Sequence, residues 1–372
     1  MDGPVGASPP PRGQPEKGIL LRQLEALSVF QWVLTFLFFG LFFTLLLIYL
    51  LFTSFWSLSV LYFAWWMVDL ETPMHGGRRS QWMRSWKVWE LHRDYFPIQL
   101  VKTAELPPTR NYVLGSHPHG IICAGAFSAF CTEACGFSRT FPGLTSSLAL
   151  LAGLFYVPVY REYMMSSGMV PVSKRSLDFL LRAGPGRAVV IVVGGAMESL
   201  DCNPGEQRVH LSGRRGFVRL ALEHGADLVP VFSFGENDIF RQVQFPRGSR
   251  LHRLQLWFKQ LAGFAPCLFV GRGLFFSRCW GLLPQPSPIT VVGEPGIFSY
   301  PTPSPGRAGK GGGSLESAGG VIGLLQSGSC CRRRPPRRFE RSRCPASAGG
   351  ERSICLAGPP TLSSGALSCP RH

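Results

Sequence analysis

From Ala26 to Val68 the chain carries no charged residue, and Leu, Phe, Trp, Tyr and Val dominate the run. A membrane-crossing helix needs about 20 apolar residues. The pattern therefore predicts one span over Val29–Phe52 and a shorter apolar piece over Leu58–Val68, joined by the polar, aromatic turn Thr53–Ser57. The short piece fits a shallow or re-entrant hairpin as well as a true crossing. The run is too long, and starts too far into the chain, for a cleaved signal peptide. Lys17 and Arg22 precede it, and Arg78, Arg79, Arg84 and Lys87 follow, while the turn between has no basic residue. Under the positive-inside rule both ends of the hairpin face the cytosol. Trp82, Trp86 and Trp89 then recur at i, i+4 and i+7. That spacing predicts a helix with one aromatic side, laid against lipid headgroups or turned to a core.

Beyond the proline-marked linker "ELPPTR" (105–110) the pattern changes. Residues 111–116, 188–193, 228–234 and 289–292 are β-branched and apolar between Gly or Pro residues, as buried strands are. Ser173 caps a helix ending at Gly184, and "RRGFVRLALEHG" (214–225) repeats the design with Gly225 at its end. The alternation predicts an α/β fold with a mostly parallel sheet flanked by helices. The chain thus divides into a flexible N-terminus (1–25), a membrane hairpin (26–70), an interfacial helix and linker (71–110), an α/β domain (111–296) and a tail (297–372). Gly, Pro, Ser, Arg and Cys dominate the tail, no apolar period survives there, and it is expected to be disordered.

Net charge is +16 over 372 residues, but it is unevenly placed. Residues 301–372 hold 11 Lys/Arg against 3 Asp/Glu, a net of +8, which leaves +8 for everything before them. A body this moderately basic suits an anionic membrane face or a phosphate-bearing substrate better than nucleic acid. The 11 cysteines form no CxxC pairs, and Cys131 and Cys135 are spaced for one helix face, as core or reduced thiols.

Three stretches carry chemistry. "GSHPHG" (115–120) places His117 and His119 on a strand-to-loop exit, with Pro118 ending the ladder and Gly120 permitting a tight turn. "VVGGAMESL" (192–200) runs from a strand into Gly194 and Gly195, whose N–H groups suit close approach to an oxyanion, and then to Glu198. "FGENDIF" (234–240) sets Glu236, Asn237 and Asp238 directly after a strand, where they orient a base, bind a hydroxyl or cap a turn. The chain has no G-x-S-x-G elbow, no Walker-type loop and no H-E-x-x-H helix. No metal is implied.

These blocks, with "YFP" (95–97), "KTAELPPTRNYVLGSHPHGI" (102–121), "VPVSKRSLDFLL" (170–181) and "RRGFVRLALEHGADLVPVFSFGENDIF" (214–240), resemble the acyl-CoA:diacylglycerol acyltransferase type 2 family, its monoacylglycerol acyltransferase branch above all. The resemblance runs from about Gln23 to Gly293 and stops at the tail, where the family's closing helix is missing. It implies a glycerolipid-acyltransferase-like domain on the endoplasmic reticulum membrane. The implied reaction moves a fatty acyl group from acyl-CoA, as co-substrate, to a monoacylglycerol or diacylglycerol hydroxyl, with no cofactor. A fatty-alcohol acceptor, or a catalytically impaired lipid-associated relative, are the alternatives. It also leaves a homo-oligomer open. The family's His-Pro-His-Gly falls on His117 to Gly120, and its Gly-Gly-Ala-x-Glu on Gly194 to Glu198. On this reading His119 is the base and His117 shapes the loop, with the opposite assignment open. Glu198 orients the imidazole, and Arg214 and Arg215 are candidates for the CoA phosphates.

Overall fold

The computed structural model describes residues 17–274 and 281–293, and the two-residue strand Ile354–Cys355. The disorder expected of the tail therefore lies outside the described residues, save at that strand. Among the described residues there are eleven strands: β1 (Gln99–Lys102), β2 (Tyr112–His117), β3 (Thr145–Leu150), β4 (Met169–Pro171), β5 (Arg187–Val192), β6 (Arg208–Val209), β7 (Asp227–Phe234), β8 (Arg241–Gln242), β9 (Phe269–Val270), β10 (Thr290–Gly293) and β11 (Ile354–Cys355). Seven of them form one sheet in the order β1-β10-β7-β2-β5-β3-β4. Every neighbouring pair is parallel except β10 with β7, so the sheet is mixed rather than all parallel. The four sequence-expected strands are β2, β5, β7 and β10. The edge strands β1 and β4, and the inner β3, have patterns too short or too polar to stand out. β11 pairs antiparallel with β6.

Register explains why the central strands read as unbroken apolar runs. Leu114 lies level with Val190 on one side and Val229 on the other, and all three face one core. Val113, Val189 and Leu228 form the next row and face the opposite core. Both faces are covered, which leaves no polar side to alternate with. The second core is closed by helices Lys174–Arg182 and Gly216–His224, through Leu177, Leu181, Phe217 and Val218. Both helices end as expected, Ser173 Oγ accepting the Ser176 N–H at the first and left-handed Gly225 closing the second.

The first core is closed by elements that the apolar pattern assigned elsewhere. One continuous helix of 32 residues runs Ile19–Leu50, with a wider turn at Thr35–Phe39. It starts ten residues before the expected span, inside the stretch expected to be flexible. Its first half packs on the Lys87–Tyr95 helix: Val29, Trp32 and Val33 are buried, and the Trp32 ring lies 4.6 Å from His92 and 5.1 Å from Phe127. Its second half exposes Phe36, Phe38, Leu41, Phe42, Leu45 and Ile48. The charge-free run therefore serves two surfaces, one protein and one not. At 1.5 Å per residue the whole helix is about 48 Å long. The second apolar helix, Trp56–Val68, has 13 residues and turns back on the first, with Ser59 Oγ donating to the Leu47 carbonyl at 2.8 Å.

The tryptophan stripe is not one helix. Gln81–Arg84 and Lys87–Tyr95 are separate, and Trp86 caps the second in an extended conformation. Trp82 and Trp86 are exposed against each other, whereas Trp89 is buried and donates its indole N–H to the Met83 carbonyl at 2.7 Å. Cys131 and Cys135 likewise part company, because the helical turn ends at Cys131 and Thr132 is extended.

Arg78, Arg79 and Arg84 after the apolar run are also engaged by the fold, while Lys87 stays exposed. Arg84 is fully buried, bonding Glu133 Oε1 at 3.1 Å and the carbonyls of Phe130 and Ser167 at 2.9 and 2.8 Å. Arg79 approaches the same carboxylate, and Arg78 pairs with Asp69. Removing one member of a buried pair strands the other. Arg84→Ala is expected to lower stability by about 3–5 kcal/mol, read as a fall in thermal midpoint in detergent. An unchanged midpoint would show that water replaces the guanidinium there.

Candidate active site

The parallel strands β2, β5 and β7 end on one edge of the sheet, where open α/β sheets bind ligands. β2 delivers His117 and β5 delivers the Gly194–Gly195 turn, followed by the short helix Ala196–Leu200 that carries Glu198. Across that edge His117 Nδ1 lies 2.7 Å from Glu198 Oε1. The carboxylate also accepts the main-chain N–H groups of His119, at 2.8 Å, and His210, at 2.9 Å. It is 2 % exposed, and burial alone would raise its pKa. The His117 imidazole and the two N–H donors outweigh burial and hold the carboxyl below its ordinary value. An ionised Glu198 can only accept, so the Nδ1 it meets bears the proton and, in neutral His117, Nε2 holds a lone pair. Nε2 of His117 makes no hydrogen bond among the described residues.

His119 is held differently. Its Nδ1 lies 2.8 Å from Ser199 Oγ and 3.1 Å from the Gly120 carbonyl, and burial pushes its pKa down. The carboxylate expected to orient His119 thus takes the His117 imidazole, and reaches His119 only through its backbone. The His117–Pro118 peptide is cis.

The glycines give clearance. A Cβ on Gly194 would sit 1.8 Å from Glu198 Cδ, so only glycine lets the carboxylate lie over the turn. Gly195 has φ +57 and ψ −151, a region essentially closed to side chains. Gly120, at φ +60, leaves room for Glu236, whose Cγ would stand 2.7 Å from an added Cβ.

Glu236 and Asn237 are buried and do not line an open acceptor site, whereas Asp238 lines an open-sided cavity whose wall includes neither His117 nor Glu198. Glu236 is buried and accepts the N–H groups of Ala124 and Gly125 at 2.7 and 2.8 Å, holding the loop after His119; burial lifts its pKa to about 7. Asn237 donates to the Glu206 carbonyl and Asp238 accepts the Gly205 N–H, each at 2.7 Å. Glu236 serves buried main-chain donors that need an acceptor, while Asn237 donates to a main-chain carbonyl and Asp238 ties an exposed turn. Arg214 and Arg215 are exposed just before the Gly216–His224 helix, and Arg214 donates to the Gly194 carbonyl at 3.3 Å. Ser199 and His210 were not singled out from sequence. Ser199 follows Glu198 directly, but His210 arrives through β6 and acts by its backbone, which no motif marks. Cys123, also beside His119, has its thiol pKa pushed well up by burial and is not a nucleophile. Among the described residues no group of His, Cys, Asp and Glu is arranged to hold a metal.

A buried carboxylate fixing one imidazole nitrogen and leaving the other uncommitted, on the carboxyl edge of an α/β sheet, is the arrangement of a general-base group-transfer site. A family model described as diacylglycerol acyltransferase matches residues 48–303, and the chain belongs to that family. It is 60 % identical to 2-acylglycerol O-acyltransferase 3 of Homo sapiens over 281 residues, 75 % of this chain and 82 % of that one. It is 55 % identical to diacylglycerol O-acyltransferase 2 of Danio rerio over 278 residues, covering 74 % and 77 %. With diacylglycerol O-acyltransferase 2 of Homo sapiens it shares 55 % over 276 residues, covering 74 % and 71 %. No solved structure matches the chain.

Proposed function

We propose that this protein is a membrane-bound acyltransferase that moves a fatty acyl group from acyl-CoA to a hydroxyl of monoacylglycerol or diacylglycerol. The observation that carries the reading is the His117–Glu198 pair, standing in a chain 60 % identical to a 2-acylglycerol O-acyltransferase. His117 Nε2 takes the acceptor's hydroxyl proton as the oxygen attacks the thioester carbonyl. The imidazolium so formed is stabilised by Glu198. The tetrahedral oxyanion collapses, the C–S bond breaks, and the leaving thiolate takes the proton from His117. An ester and free CoA result, and the base is restored. The geometry favours His117 over His119 as base, since only His117 shares a side-chain hydrogen bond with the carboxylate. His119, neutral through burial, stays beside it as a positioning group. The test is an acyl-CoA assay on microsomes carrying the chain, offered monoacylglycerol, diacylglycerol and a fatty alcohol separately. Transfer to neither acylglycerol, with the protein intact, would sink the reading.

The Ile19–Leu50 helix supports anchoring in a membrane, for which we propose the endoplasmic reticulum, with the catalytic domain in the cytosol. The short Trp56–Val68 helix supports a hairpin: 13 residues span about 20 Å, less than the ~30 Å hydrocarbon core. The chain is expected to stay in membranes through alkaline carbonate, with both termini open to protease in sealed microsomes. Release by carbonate contradicts the anchor, and a protected N-terminus contradicts the topology.

A further inference from the structure

An open-sided cavity of about 1150 Å³ lies between the start of the Ile19–Leu50 helix and the loops at the β7 and β10 end of the sheet. Its helical wall is Leu20, Leu24 and Leu27, at i, i+4 and i+7, which are 70, 43 and 52 % exposed. Three arginines, Arg22, Arg241 and Arg272, stand around this apolar stripe. Among the described residues the Arg22 and Arg241 guanidinium groups have no hydrogen-bond or ion-pair partner. Arg272 donates to the Tyr95 hydroxyl at 3.0 Å and lies over its ring. Of the three carboxylates on the walls, Glu25 is paired with Lys17 and Asp94 with Arg93, while Asp238 accepts only the neutral Gly205 N–H, so three guanidinium groups stand against one carboxylate without a cation partner. The uncompensated charge is therefore positive, and it surrounds an apolar stripe.

We propose that this groove binds the acyl donor, a long-chain acyl-CoA, with its phosphates on Arg22, Arg241 and Arg272 and its acyl chain along Leu20, Leu24 and Leu27. The proposal rests on the acyltransferase reading above and assigns where its donor docks. An apolar stripe with a cationic rim is complementary to an anionic amphiphile, and guanidinium forks match phosphate oxygens. The volume slightly exceeds that of sites for drug-sized ligands, about 300–1,000 Å³, as a nucleotide-bearing headgroup requires. Placement agrees. Asp238 on the groove wall is two residues from Glu236, which holds the loop after His119. At the other end the same helix continues into Phe36, Phe38, Leu41 and Phe42, all exposed. The groove thus opens where an amphiphile partitions, at the mouth of the anchor. Arg214 and Arg215 stand by the helix on the opposite face of the sheet, and the proposal moves the phosphates away from them.

The test measures equilibrium binding of S-hexadecyl-CoA, a thioether that cannot transfer its chain, to the full-length protein in detergent. Arg22→Gln with Arg241→Gln is expected to weaken binding about tenfold or more, and Leu24→Asp to weaken it as well. Arg214→Gln with Arg215→Gln is expected to leave it within about twofold. The reverse pattern, or no loss in the Arg22/Arg241 variant, overturns the proposal. So does groove-dependent binding of phosphatidic acid in place of the CoA thioether. His117→Ala should bind as well as the parent chain. A protein that binds the thioether through Arg22 and Arg241 but transfers no acyl group keeps the groove and loses the acyltransferase reading.

Discussion

His117→Ala is expected to lower acyl transfer by roughly two to four orders of magnitude, the usual contribution of a positioned base, while abundance and membrane insertion stay as they are. The side chain keeps 12 % of its surface exposed at the edge of the sheet, so its loss leaves a space open to water, and Glu198 retains its two main-chain N–H donors. Glu198→Gln should cost less than His117→Ala, because the base itself remains, although the single amide oxygen keeps an acceptor for only one of the two N–H groups and no longer stabilises an imidazolium. His119→Ala is expected to raise KM as well as lower kcat, since it frees Ser199 and loosens the loop that Glu236 holds. Rates measured on microsomes with matched protein levels decide the matter. Full activity in His117→Ala with loss in His119→Ala would return the base to His119. Full activity in both would remove the mechanism.

Gly194→Ala carries the second large effect. The added methyl would lie 1.8 Å from Glu198 Cδ, a separation no rotamer change of the methyl can relieve. Either the carboxylate leaves His117 or the turn shifts under it. A misplacement of about 1 Å in a catalytic group can cost 10²-fold, so kcat is expected to fall by roughly that factor with KM for acyl-CoA little changed. A chain that keeps its kcat with alanine at 194 would show that Glu198 need not lie over this turn. Gly194 was expected from sequence to offer an N–H to an oxyanion; the structure shows clearance for a carboxylate as its demonstrable duty.

Much of the site was legible because motif chemistry is local. His117 and His119 stand on a strand exit because proline and glycine punctuate an apolar run, and that punctuation is written in consecutive residues. The same holds for Gly194, Gly195 and Glu198, and for the two capped helices. What was not legible is which imidazole meets the carboxylate. Glu198 is 81 residues from His117, and the two-residue spacing of the histidines places both within reach until the loop conformation is known. Glu236 read as a group that orients a base, binds a hydroxyl or caps a turn, and the choice stayed open because its burial, and the donors at Ala124 and Gly125, are long-range facts.

The apolar pattern by itself determined that the chain has an anchor-grade helix and an α/β domain with its sheet covered on both faces, while the candidate site at the strand ends was marked by the motifs at 117–120 and 194–198. Periodicity and composition report how much apolar surface must leave water, and these elements follow from that quantity. Only the tertiary structure decided what covers the surface. Hydrophobicity has no direction, so Val29, Trp32 and Trp89 pack on protein while Phe36, Phe38, Leu41, Phe42, Leu45 and Ile48 stay exposed, although the same run or stripe holds them. Charge behaves likewise: Arg84 reads as one of the basic residues flanking the apolar run on its cytosolic side, and the fold seals it against Glu133, because a guanidinium is stable in the interior wherever carboxylate and carbonyl oxygens converge on it.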